Sequence, residues 1–310
     1  MKIVSKIKER YHRVTKLLLS DIWSVEGLES ISLPSTIIEY IKVFLITLEE
    51  FATHKISLQA IALSFFSAMS VAPFVAISFA VTNGFGLGVR LEELLYTYFE
   101  GNEEIIAYIV TFANNIVSRG QNGLFGAISL LFLLSTIVWL MLQIERAFNE
   151  IWKVESGRSF KKRAIYYFTL LLVAPLVIFL FLSLSLVYTN LLDSLTIKLK
   201  IISPLFNLLS WVTAYLFTAA VFTIMYKFIP NIKVKFSAAL KSGSILSFAF
   251  IVVQFLYLKT QIMVTGLSAV YGVFAAIPLF MVWMNISWTL ILFGAELSQA
   301  FQNVDNYNRI

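Results

Sequence analysis

The sequence predicts an all-α, polytopic integral membrane protein with six transmembrane helices. Of its 310 residues, 59% are hydrophobic and only 14% are charged, whereas an average soluble chain has roughly 25% charged residues. Six charge-free stretches meet or approach the ~20 residues that a helix needs to cross a bilayer. These stretches do not alternate between apolar and polar residues, as the strands of a membrane β-barrel do.

Each span is predicted where a long apolar run is free of charge. The predicted six-helix domain covers residues 57–300, after an N-terminal segment (1–56) and before a short tail (301–310). Its spans are residues 57–81, 123–144, 164–192, 203–226, 242–258 and 272–295.

The lysine and arginine residues are distributed unequally between the two sides of these spans. With six spans the termini share a side, and 19 of the 24 basic residues fall on that side. Cytoplasmic loops of membrane proteins carry an excess of Lys and Arg. Both termini are therefore predicted to be cytoplasmic.

Two segments outside the spans have helical periodicity. Residues 34–53 carry one narrow polar stripe, which predicts a cytoplasmic interfacial amphipathic helix. Residues 82–122 form an acidic extracytoplasmic loop with its own amphipathic pattern. That loop could cover a cavity on the outer face of the bundle, or merely pack against it.

Prolines lie inside three of the predicted spans, at Pro73, Pro175 and Pro278. Each lacks a backbone donor, so kinked spans and candidate helix breaks are expected there. Broken helices often form substrate sites in transporters. Close packing beside small residues is the alternative interpretation.

Charged residues at the cytoplasmic rim are the main candidates for function. Glu145 and Arg146 close the second span, and Glu296 closes the sixth at a similar depth. We expect an ion pair between Arg146 and Glu296, serving as an interhelical lock, a gate or a site for an anionic head group. Gln143 and Asn149 complete this candidate site.

A run of basic residues follows the second span and could bind phosphate-bearing lipid head groups. It could equally serve only to orient the protein in the membrane. The candidate patch comprises Lys153, Arg158, Lys161, Lys162 and Arg163.

Several functions lack the residues that they need. The chain has no cysteine, and His12 and His54 both lie outside the spans. No phosphate-binding loop or hydrolase motif is present. We therefore expect no catalytic, cofactor-binding or metal site, no enzymatic activity of its own, and no nucleic-acid partner.

Three segments resemble the YihY/virulence factor BrkB family: QIERAFNEIWKV (143–154), KFIPNIKVKFSAALKSG (227–243) and YGVFAAIPLFMVWMNISWTLILFGAEL (271–297). The resemblance implies a six-span protein of the bacterial inner membrane, linked to handling envelope lipid or lipopolysaccharide. The label ribonuclease BN that members have carried is regarded as misassigned. The residues that match the family pattern are Glu145, Arg146, Asn149, Trp152, Pro230, Asn231, Tyr271, Gly272, Pro278, Gly294 and Glu296.

The leading hypothesis is a transporter or flippase-like handler of an amphipathic or anionic envelope lipid, without its own ATPase. The alternatives are a membrane scaffold or assembly factor and, third, a membrane-embedded enzyme. Membrane lipids, including an anionic or lipopolysaccharide-type substrate, are the expected partners. The 28 Phe residues could face lipid or a second copy of the chain, which leaves a homo-oligomer open.

Overall fold

The protein is described by a computed structural model that covers residue 23 and residues 34–53, 55–98, 103–120, 123–198, 203–265 and 269–306. Nearly all of the N-terminal segment before residue 34 therefore lies outside the described residues. In chain order the helices are α1 (Ser35–Thr53), α2 (Ile56–Gly84), α3 (Gly88–Tyr98), α4 (Glu103–Gly120), α5 (Gly123–Ile151), α6 (Phe160–Lys198), α7 (Ser203–Phe228), α8 (Phe236–Thr265) and α9 (Ala269–Asn303).

The predicted all-α membrane fold is confirmed. Among the described residues, five stretches are long and apolar enough to cross a membrane, and they lie in α2, α6, α7, α8 and α9. The second predicted span lies within the 29-residue helix α5. A shorter apolar helix, Ile106–Ile116, lies within α4, in the segment predicted as an external helical loop.

Helix α2 is the central helix of the bundle. It contacts α9, α5, α4, α6 and α3, and 44% of its apolar span is buried, against 17% for the spans of α6 and α7. On the α9 side, Trp288 Nε1 donates a 2.8 Å hydrogen bond to Ser67 Oγ. Helices α6 and α7 therefore lie at the periphery, with most of their apolar side chains exposed.

Two apolar clusters hold the helices together. The larger contains Phe148, Tyr226 and Leu292 and joins α1, α2, α5, α7, α8 and α9. The smaller joins α2, α3, α4 and α6 around Phe79 and Phe179. Gly294 permits the close approach of α9 to α7, because a Cβ there would collide with the ring and hydroxyl of Tyr226.

Several helices extend beyond the predicted spans at their charged ends. Helix α5 continues past Glu145 to Ile151, α8 begins at Phe236 instead of residue 242, and α9 continues past Glu296 to Asn303. The charges that ended two of these predicted spans are paired: Glu145 with Arg163, and Lys241 with Glu39. A charge that is paired at a helix end does not need to terminate the helix.

The three candidate helix breaks do not interrupt their helices. Pro73, Pro175 and Pro278 each lie inside a helix that continues on both sides. The expectation of a break is therefore wrong. A proline removes only one backbone donor, and local adjustments within a long transmembrane helix can satisfy the carbonyl that it frees.

Helix α1, predicted as the interfacial helix, packs one face on the bundle and leaves another exposed. Its Glu39 Oε1 lies 2.8 Å from Lys241 Nζ of α8, and the Tyr40 ring lies 5.2 Å from the Phe301 ring in an edge-on contact. Ile37, Phe44 and Leu48 remain exposed. This exposed apolar row is compatible with a helix at a membrane surface.

Candidate functional site

The α1–α2, α5–α6 and α7–α8 connections meet at one end of the bundle. Helices α5, α7 and α9 finish there, and α2, α6 and α8 begin there; we call this the basic end. Contacts from α5 to the start of α6, to the α7–α8 loop and to the end of α1 bring these segments together. The candidate rim and the candidate basic patch both lie at this end.

Glu145 is the centre of a buried polar network at the basic end. Its side chain is only 3% exposed and forms ion pairs with Arg163, at 3.1 Å, and Arg158, at 3.6 Å. Tyr167 Oη donates a 2.6 Å hydrogen bond to its Oε2, and the backbone N–H of Arg158 donates to Oε1 at 3.4 Å. We call these four residues the Glu145 network. They join α5 to α6 through charge-assisted bonds on both carboxylate oxygens.

The α5–α6 loop passes close over this network at Gly157. A Cβ at position 157 would lie 2.9 Å from Arg163 Nη2 and 3.9 Å from Glu145 Oε1. A larger residue would therefore push the loop or the guanidinium away. Because Gly157 has no side chain, the backbone of the loop can lie directly over the ion pair.

Arg158 also caps the C-terminus of α7. Its guanidinium donates hydrogen bonds to the carbonyl oxygens of Phe228 and Ile229, both at 2.8 Å, and of Pro230 at 3.3 Å. The guanidinium lies 4.6 Å from the centre of the Tyr166 ring. The last carbonyls of a helix have no intrahelical donor, so this side chain satisfies groups that would otherwise need water.

Two amides hold the α7–α8 loop in place. Asn149 Oδ1, from α5, accepts a 2.8 Å hydrogen bond from the backbone N–H of Asn231. Gln302, from α9, accepts from the N–H of Lys235 at 2.7 Å and donates to the carbonyl of Lys233 at 3.3 Å. Together with Arg158, these side chains from outside the loop fix its backbone.

The expected ion pair between Arg146 and Glu296 is not formed within the described part of the chain. Arg146 is exposed, whereas Glu145 beside it is buried. Consecutive residues on a helix point about 100° apart, because there are 3.6 residues per turn. Glu296 is 1% exposed, inside the bundle. Gln143 is half-buried on α5.

The candidate basic patch divides into paired and exposed residues. Arg158 and Arg163 belong to the Glu145 network, and Lys153 Nζ forms a 3.0 Å ion pair with Glu50 of α1. Lys161 and Lys162 are exposed at the start of α6. Three of the five residues are therefore engaged in ion pairs within the protein.

The sequence did not single out Tyr167 or Gln302. Tyr167 lies one helical turn after Arg163, and residues four apart share a helix face, which is the one signal that could have suggested it. Gln302 lies in the segment predicted as the tail, seven residues beyond the predicted end of the sixth span. No sequence pattern connects it to the α7–α8 loop.

A lateral apolar groove of about 500 Å³ lies between α7 and α8. Trp211 and Phe255 meet across it with ring centres 6.3 Å apart, and Tyr215 Oη donates a 3.2 Å hydrogen bond to the carbonyl of Ser244. Both helices are among the spans that are long and apolar enough to cross a membrane. It is lined by Trp211, Val212, Tyr215, Phe248, Ile251, Val252 and Phe255.

No metal-binding group was found in the described residues. Within them, no three His, Asp or Glu side chains converge on a position that could hold a cation. Glu145, the most highly coordinated carboxylate of the site, already accepts bonds from Arg163, Tyr167 and the Arg158 backbone.

Comparison with known proteins identifies the family. A family model described as virulence factor BrkB matches residues 47–309. A UPF0761 membrane protein of Alcanivorax borkumensis is 28% identical over 274 residues, which are 86% of this chain and 62% of that relative. A UPF0761 membrane protein of Teredinibacter turnerae is 29% identical over 246 residues, 76% of this chain and 54% of the relative.

The chain thus spans less than two thirds of the length of these curated relatives. No solved structure matches it. The family match covers all five of the spans identified in the described residues, and also α5. It includes the Glu145 network and the α7–α8 groove. The chain belongs to the virulence factor BrkB family and is a multi-pass membrane protein.

Proposed function

We propose that the protein handles a membrane lipid, as a transporter or flippase-like protein for an amphipathic anionic lipid of the bacterial inner membrane. The observation that carries this proposal is the groove between α7 and α8. It lies between two of the apolar spans and is lined almost entirely by apolar and aromatic side chains. Such a groove offers an acyl chain more contact area than a flat helix surface does.

The two helices that form the groove are held together by close packing. Helices α7, α8 and α9 approach closely through Gly243 and Gly294, where Cβ atoms would meet Thr223 and Tyr226. The Tyr215 bond to Ser244 ties α7 to α8 at the groove itself. A groove that is held open in this way can receive a lipid chain without first rearranging.

The proposal needs no enzymatic step and no ATP hydrolysis by this chain. The sequence contains no phosphate-binding loop that could serve an ATPase. Lipid movement would follow a gradient or be coupled to another component. The basic end, where the Lys- and Arg-rich connections converge, is proposed to face the cytoplasm with both termini.

The test is transbilayer movement of a fluorescent anionic lipid in vesicles containing the purified chain, without ATP. The wild type should move the probe faster than protein-free vesicles do. Val252→Trp fills the groove and should slow the movement, whereas Val173→Trp, at an exposed position of α6 outside the groove, should not. Movement by the wild type at the protein-free rate would reject transport.

A scaffold or assembly role is the second candidate, and the Glu145 network favours it. In that network Arg158 and Arg163 are bound to Glu145 and to the end of α7, where they stabilise the bundle. If the protein is a scaffold, cells with Val252→Trp should have the same phenotype as wild-type cells. Glu145→Gln should instead lower the amount of folded protein. Loss of phenotype with Val252→Trp at normal protein level would exclude a purely structural role.

A further inference from the structure

Three lysines lie around the α7–α8 loop at the basic end, where Arg146, Lys161 and Lys162 are also exposed. Lys153, Arg158, Arg163 and Lys241 each lie within 4 Å of a carboxylate. Among the residues that the structure describes, Lys227, Lys233 and Lys235 have no carboxylate at that distance. Their charge is therefore available to an external anion.

Lys227 is held between two exposed aromatic rings. Its Nζ lies 5.9 Å from the centre of the Phe228 ring and 5.7 Å from that of Phe236, within the range of cation–π attraction. These rings are 54% and 57% exposed. Aromatic rings beside a lysine are typical of the membrane–water interface, where the rings enter the lipid and the ammonium reaches the head groups.

The loop that carries the other two lysines has a fixed backbone. Asn149, Arg158 and Gln302 bond its peptide groups from three sides, while the residues Asn231, Ile232, Lys233 and Lys235 remain exposed. The fixed backbone keeps the Cα atoms of Lys233 and Lys235 in place, so binding there does not require the loop itself to become ordered.

The lysines lie where the two helices that form the groove are joined. Lys227 is in the last turn of α7 and Phe236 begins α8, and the groove residues Tyr215 and Val252 lie farther along those two helices. A lipid beside this pair could have its head group at the lysines and its chain along the α7–α8 surface. This relationship selects a lipid as the occupant over a soluble anion.

We infer that Lys227, Lys233 and Lys235, with the rings of Phe228 and Phe236, form a binding site for the phosphate of an anionic phospholipid at the basic end. The inference rests on the proposed lipid handling and names its head-group chemistry. The site differs from the candidate basic patch that follows α5. Both arginines of that patch, Arg158 and Arg163, are bound within the protein.

The test measures binding separately from transport. Phosphatidylglycerol and phosphatidylcholine are titrated into the purified full-length chain in neutral detergent, and bound lipids are counted by native mass spectrometry. We expect the wild type to prefer phosphatidylglycerol. Because a lysine near a membrane surface attracts anionic lipid by about five-fold in affinity, Lys227→Met should weaken binding by about that factor and Lys233→Met/Lys235→Met by more. Added salt should reduce the preference.

A matched control lies near the C-terminal end of α8, away from the α7–α8 loop. Lys259 Nζ lies 5.6 Å from the centre of the Phe255 ring, so Lys259→Met removes a lysine with similar aromatic contact from the opposite end of α8. It should leave phosphatidylglycerol binding unchanged, and Lys227→Arg should retain binding. The exposed Lys233 and Lys235 side chains can be replaced without disturbing the fold even if Lys227→Met unfolds.

Three outcomes would overturn the inference. The first is unchanged phosphatidylglycerol binding in the Lys233→Met/Lys235→Met variant, and the second is an equal loss with Lys259→Met. The third is displacement of the lipid by millimolar inorganic phosphate, which would mean that the site takes a soluble anion. Loss of binding in the lysine variants with no transport by the wild type would retain the site and reject the proposed transport.

Discussion

Tyr167 Oη of α6 donates a 2.6 Å hydrogen bond to Oε2 of Glu145 on α5, whose other oxygen lies 3.1 Å from Arg163 Nη2. A buried carboxylate of the predicted rim is thus satisfied by the next helix along the chain. Glu145 binds α5 to α6, whereas the exposed Arg146 beside it points away. At Glu145 the rim is therefore an interhelical contact.

Replacing Glu145 should destabilise the bundle. Glu145→Gln leaves Arg158 and Arg163 without their counter-charge, and breaking a buried ion pair from one side costs about 3–5 kcal/mol. We expect the lower end of this range, because the Arg163 side chain is 30% exposed. The measurement is the free energy of unfolding in detergent. Glu150→Gln, at an exposed position of the same helix, is the control, and equal stabilities of the two variants would contradict the account.

Arg158 should not be replaceable by lysine. Its guanidinium reaches three carbonyls at the end of α7, and an ammonium cannot reproduce that planar fork. Arg158→Lys should lower the free energy of unfolding by about 1 kcal/mol, the net contribution of a typical hydrogen bond, because the three acceptors are part-buried or exposed. Thermal unfolding compared with Lys162→Ala, an exposed neighbour, provides the check. A stable Arg158→Lys protein would mean that water caps α7 equally well.

Arg146 and Glu296 should behave as independent residues. Arg146→Ala at an exposed position should change stability by less than about 0.5 kcal/mol, whereas Glu296→Ala at a buried one should cost more. A double-mutant cycle between them should give a coupling below about 0.5 kcal/mol. If the swap Arg146→Glu/Glu296→Arg recovered stability, that result would support the ion pair that the sequence predicted.

The contact between Gly294 and Tyr226 sets the spacing of α7 and α9. Gly294→Ala should cost about 1–3 kcal/mol, because the added methyl collides with the tyrosine. Tyr226→Phe should recover part of that loss, since it removes the nearest atom but keeps the ring. Gly84→Ala, where no heavy atom lies within 4 Å, is the neutral reference in the same unfolding assay. A wild-type stability for Gly294→Ala would show that the helices can separate freely.

Composition and charge-free runs were enough to predict the fold class, because the bilayer requires long apolar helices whatever their packing. They could not predict the helix ends. The second predicted span stopped at Glu145 and the fifth started after Lys241, but both charges are compensated by residues 18 and 202 positions away along the chain. A hydropathy profile does not show that a charged residue is paired with another residue far away in the sequence.

The prediction of the site was incomplete for the same reason: contacts between residues far apart in the sequence are not visible in it. Similar depth along two spans suggested Arg146 and Glu296 as partners. Depth does not show in which direction a side chain leaves its helix, and in the structure it is Glu145 that points inward. The roles of Arg158 and Gln302 depend on loop conformation and on contacts across 70 and 67 residues. The groove between α7 and α8 depends on the relative position of two helices whose sequences are apolar on every side.

The most direct test of lipid handling exploits the absence of native cysteine from the chain. Val252→Cys places a single thiol in the α7–α8 groove, and a bulky methanethiosulfonate reagent can block the groove reversibly in reconstituted vesicles. The account predicts that labelling stops transbilayer movement of the anionic lipid probe and that reduction restores it, while labelled Val173→Cys on α6 stays active. Unchanged lipid movement after complete labelling of Val252→Cys would contradict it.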